Sequence, residues 1–61
     1  MFKVKAVDPL GRPKMFVCGT AEQALVRAEE LVGRGYGDIV VTDPRGTEHR
    51  LAAFKRFVEQ G

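Results

Sequence analysis

Asp-Pro-x-Gly occurs twice in this chain, as Asp8-Pro9-Leu10-Gly11 and as Asp43-Pro44-Arg45-Gly46. Each copy follows a stretch that reads as a β-strand. Asp suits the first position of a type I turn, Pro presets φ at the second, and Gly is favoured at the fourth. A chain that reverses twice in this way is built around hairpins. The echo is only four residues long, too short to mark a duplication.

Before the first tetrad, Phe2, Val4 and Ala6 alternate with Lys3, Lys5 and Val7. Period two predicts a strand with one buried face. After it, Lys14 to Gly19 predicts the returning strand. Two registers compete. A four-residue loop sets Val4 against Met15 and Phe2 against Val17, and also places Lys5 opposite Lys14, a like-charge pair. A one-residue bulge turns Phe16 and Cys18 inward instead, and this is the register expected. Asp38 to Thr42 is rich in β-branched residues and predicts a third strand. The second tetrad then predicts a short fourth strand over Thr47 to Arg50.

Two helices are expected. Thr20-Ala21-Glu22-Gln23 is a capping box, in which the Thr hydroxyl meets an orphan amide and Gln reaches back. Ala21, Ala24, Leu25, Ala28, Leu31 and Val32 follow at helical spacing as one apolar stripe. Gly33 or Gly35 ends this helix. From Leu51 the period changes again: Leu51, Phe54, Phe57 and Val58 share a face of a helix running to about Gln60.

The order strand, strand, helix, strand, short strand, helix predicts a small α+β domain spanning residues 1–61 as a two-layer sandwich. The simplest sheet places the first strand between the second and the third, all antiparallel. Which sheet face the last helix covers is left open by the pattern, and function turns on it.

Composition narrows the chemistry. The 61 residues include 27 apolar ones (44%), normal for a globular chain. A chain of this size buries only about 60% of the surface it exposes when unfolded, so its core is thin. The lone Cys18 forbids an internal disulfide and fits a reducing compartment. The start, Met1-Phe2-Lys3-Val4-Lys5, does not read as a signal peptide. No apolar run approaches the roughly 20 residues of a bilayer span. The expected address is the cytoplasm, with no membrane partner.

The chain has no Ser, so a Ser-His-Asp arrangement is excluded. Cys18 with His49 is the only thiol-imidazole pair available, and Cys18 reads more simply as a small buried hydrophobe. One His and one Cys cannot furnish a four-ligand zinc site. Asp43, Glu48 and His49 are near in sequence and read as a turn residue with two exposed neighbours. Gly33-Arg34-Gly35-Tyr36-Gly37 has the wrong polarity for a phosphate loop, because it follows a helix and precedes a strand. Gly19-Thr20, before a helix, is the better anion position. No catalytic residue, cofactor or metal is expected, and the chain is not read as an enzyme.

Two surfaces remain. Lys3, Lys5, Arg12 and Lys14 crowd the hairpin with positive charge in a chain whose net charge is only +2. Joined by Phe16 or Tyr36 on the same face, they would offer bases a stacking platform. The plainer reading is a solvated face whose lysines keep a strand from aggregating. Phe54 and Phe57 form a bulky pair that would serve self-association if the last helix were not packed on its own sheet. The function expected is therefore a small non-catalytic binding or interaction module, its partner unknown, with another protein or a second copy of the chain as the candidates. The alternatives are weak nucleic-acid binding through the hairpin's basic face, and a homodimerising structural domain.

Overall fold

A computed structural model of the chain describes residues 1–60. Strands β1 (Phe2–Val7) and β2 (Pro13–Cys18) precede helix α1 (Ala21–Gly33). Strands β3 (Gly37–Thr42) and β4 (Glu48–Arg50) follow, and helix α2 is Leu51–Gln60. The sheet order is β2-β1-β3-β4, with every neighbour antiparallel. The expected α+β two-layer sandwich is the observed one.

The two tetrads fold into the same turn. The Gly11 N–H donates to Asp8 O (2.9 Å), and the Asp8 N–H donates to Arg12 O (2.8 Å). In the second copy the Gly46 N–H donates to Asp43 O (2.9 Å), and the Asp43 N–H to Thr47 O (2.9 Å). Gly11 and Gly46 both hold positive φ, 83° and 88°, which a side chain would strain. This left-handed residue after a type I turn supplies the one-residue bulge. The hairpin register follows from it: Val4 pairs with Phe16 and Phe2 with Cys18. Phe16 and Cys18 therefore face inward, and Lys5 meets Met15 rather than Lys14.

α1 begins as its capping box predicts. Gln23 N–H donates to Thr20 Oγ1 (3.1 Å), while Gln23 Oε1 accepts from the Gly19 N–H (3.2 Å). It ends in a Schellman motif: Tyr36 N–H reaches Leu31 O, Gly35 N–H reaches Val32 O, and Gly35 takes φ 86°. The glycine-rich stretch is thus helix termination.

Val4, Ala6, Ile39 and Val41 from the sheet meet Ala24, Ala28 and Leu31 from α1 and Phe54 from α2 in one core. Alanines at the centre of the α1 stripe let that helix lie close to the strands. Val32 departs from the expected stripe and is 51% exposed. It lies one residue, about 100°, round from Leu31, at the margin of the buried arc. α2 starts directly from β4, packs against β3 and β4, and touches α1. Both helices therefore share one face of the sheet. Phe54 is fully buried and meets Phe2 edge-on with centroids 5.9 Å apart.

Candidate functional site

With both helices on one side, the other sheet face is covered by neither helix among the described residues. The register lines up its side chains in rows across all four strands. One row is Val17, Lys3, Thr42 and Glu48; the next is Met15, Lys5, Val40 and Arg50. Met15 is 55% exposed and Val17 53%. Three cations (Lys3, Lys5 and Arg50) and one anion (Glu48) leave the rows net positive by two. Lys5 Nζ lies 3.5 Å from Glu48 Oε2, an exposed pair that salt screens readily. Among the described residues, Thr42 Oγ1 is a buried side-chain oxygen with no hydrogen-bond partner.

The four hairpin cations separate. Lys3 and Lys5 stand on the open face. Lys14 pairs with Ala6 and so projects to the helix-bearing side, where it is exposed. Arg12 closes the turn, its N–H donating to Asp8 Oδ1 (2.8 Å). Sequence spacing missed Arg50 as a member of the basic face, because only the β3–β4 register brings it beside Val40. No aromatic ring belongs to either row. Phe16 faces inward under the Arg27 guanidinium, 5.3 Å from its centroid, and Tyr36 packs against the core.

A second cluster lies at the far edge of the sheet, on the helix-bearing side. Asp43 Oδ1 accepts from the N–H groups of Arg45 (2.9 Å) and Thr47 (3.0 Å), while Oδ2 faces His49 Nε2 at 2.9 Å. The His49 hydrogen bond holds the Asp43 carboxyl below its ordinary value of 3.8, against the opposing effect of burial, and the Thr47 and Arg45 amides add to the lowering. The His49 ring packs against Phe57 (5.2 Å) and Phe54 (5.8 Å). Phe54 belongs to the core, whereas Phe57 is 46% exposed and partly covers the imidazole.

The other candidates do not assemble into sites. Glu48 and His49 alternate to opposite faces of β4, so Asp43, Glu48 and His49 do not converge. Among the described residues no three His, Cys, Asp or Glu side chains are placed to hold a metal ion. Cys18 is on β2 and His49 on β4, the two edge strands, about 14 Å apart at three strand spacings. The Gly19 amide is already bonded within its own cap. No described helix is long and apolar enough to cross a membrane. No protein-family model, no curated protein and no solved structure matches the chain.

Proposed function

We propose that the chain is a small non-catalytic binding module whose working surface is the uncovered sheet face. The observation behind this reading is the placement of both helices on the same side, which leaves Met15, Val17 and Val40 beside Lys3, Lys5 and Arg50. A sheet face that only meets water has no need of exposed Met and Val. Lysine stems cover apolar ground while their ammonium groups reach outward. Such a surface suits a protein segment that alternates apolar and acidic side chains. The separation of Cys18 from His49 supports the non-catalytic part of the reading. One free thiol and no disulfide fit a reducing cytoplasm.

Nucleic acid is the competing partner, favoured by the net positive rows and disfavoured by the lack of any ring for bases to stack on. Titrating isotope-labelled protein with a peptide alternating Glu and Leu, and separately with a single-stranded oligonucleotide, decides between them. The peptide is expected to shift the amide resonances of Lys3, Lys5, Met15, Val17 and Val40, and Lys3→Glu with Lys5→Glu to abolish those shifts. Oligonucleotide binding that falls steeply with salt, without peptide binding, would replace this reading by the nucleic-acid one. Silence of the open face towards both probes at low salt would remove it.

A further inference from the structure

The two edges of the sheet are built differently. β4 is three residues long. The Asp43–Thr47 hydrogen bond sets the alternation of its ladder, so the backbone groups on its free side belong to Glu48 and Arg50, both charged. A short, charged edge resists pairing with another chain. β2 is six residues long, and beyond Pro13 and Lys14 at its start the rest of it, Met15 to Cys18, is uncharged and free of proline. The Asp8–Arg12 bond sets its alternation in the same way: Lys14, Phe16 and Cys18 bond to β1, while Pro13, Met15 and Val17 direct their backbone groups outward. Met15 and Val17 are also more than half exposed, and Val26 of α1, 64% exposed, borders the groove of about 550 Å³ beside Val17 and Cys18.

We propose that β2 is a self-association edge, pairing antiparallel with β2 of a second copy across a two-fold axis at Phe16. Only that register uses every outward group of Met15 and Val17. It places Met15 opposite Val17 of the second copy, and the reverse, giving four reciprocal hydrogen bonds. An axis at Met15 would set the Val17 carbonyl against Pro13, which has no N–H to give. An axis at Val17 would set the Met15 carbonyl against Gly19, whose N–H is held by Gln23 Oε1. Charge agrees with the choice. Lys14, the one charged residue of β2, faces Cys18 of the second copy rather than another lysine. The two Phe16 rings meet at the axis as a close, non-hydrogen-bonded pair, an arrangement that stabilises sheets. The product is an eight-stranded sheet whose open face is continuous across both copies. Self-association therefore does not compete with the binding proposed for that face and does not rest on it.

The test is mass against concentration, from low micromolar to millimolar, with amide exchange at Met15 and Val17 followed over the same range. Mass is expected to double, and exchange at those two amides to slow by about tenfold or more as it does. Val17→Pro removes only an outward N–H and leaves the β1–β2 ladder whole, so it is expected to stay monomeric throughout. A wild-type chain that remains monomeric at millimolar concentration would overturn the proposal. So would doubling without slower exchange at Met15 and Val17, which would place the interface elsewhere, for instance around Phe57. The exchange measurement needs no variant, so it decides the matter even where Val17→Pro fails to fold.

Discussion

His49 Nε2 meets Oδ2 of Asp43 at 2.9 Å, joining the second turn to the strand that leaves it. An ionised carboxylate can only accept, so the imidazole donates. Asp8 holds the equivalent place in the first turn and accepts from Leu10 and Arg12, but it has no ring partner. Asp43→Ala should therefore lower the unfolding midpoint in urea more than Asp8→Ala does. Equal losses would mean that the His49 contact adds nothing to the turn.

The same contact sets an acid dependence. The Asp43 carboxyl is held below 3.8 in the folded chain. A depressed folded-state value means that its contribution is complete above the unfolded value and is lost as pH falls through the folded one. Wild-type stability should thus fall more steeply below about pH 4 than that of Asp43→Asn, which carries no titrating group there. Parallel urea midpoints for the two proteins from neutral pH down to the acid limit would contradict this.

Asp38 has φ 51°, the one non-glycine residue with positive φ among those described. It lies at the irregularity between the Lys5–Val40 and Val7–Gly37 pairs, where β3 carries one residue more than β1. Asp tolerates this conformation better than most residues, and a β-branched side chain hardly at all. Asp38→Val should cost about 1–2 kcal/mol, whereas Asp38→Gly should be neutral or stabilising by up to about 1 kcal/mol. Thermal unfolding of the two variants checks the order, and a Val variant as stable as Gly would rule out strain at this position.

The Thr42 hydroxyl is buried without a partner. An orphaned buried hydroxyl costs on the order of 1 kcal/mol, and a methyl group of the same shape does not. Thr42→Val should raise the melting temperature by about 4–8 °C in a domain of this size. If the midpoint drops instead, the hydroxyl is being satisfied in solution.

Phe54 is wholly buried and joins α2 to Phe2 and His49, while its ring stacks on Phe57 of the same helix. Truncating a buried Phe to Ala costs about 3–5 kcal/mol. A 61-residue domain has only about 3–9 kcal/mol in total at 0.05–0.15 kcal/mol per residue. Phe54→Ala should leave much of the chain unfolded at room temperature by circular dichroism, whereas Phe57→Ala, at a half-exposed position, should not.

Local chemistry determined much of this protein. Asp, Pro and Gly act within four residues, so both turns could be read from the tetrads, whereas the choice of the bulged register rested on keeping Lys5 away from Lys14 and was decided by the structure. The Thr20 cap and the Leu51–Gln60 helix follow from equally short-range rules of hydrogen bonding and periodicity. The candidate surfaces were less legible, because they depend on strands distant in sequence. Only the tertiary structure set α2 beside α1, and so left the face bearing Lys3 and Lys5 bare. An amphipathic helix carries the same stripe whichever face of a sheet it covers. Only the β3–β4 pairing brought Arg50 into that face and His49 onto Asp43. Burying Phe54 and leaving β2 as the less guarded edge likewise depended on which elements met, because an apolar side chain is core or interface according to what packs against it.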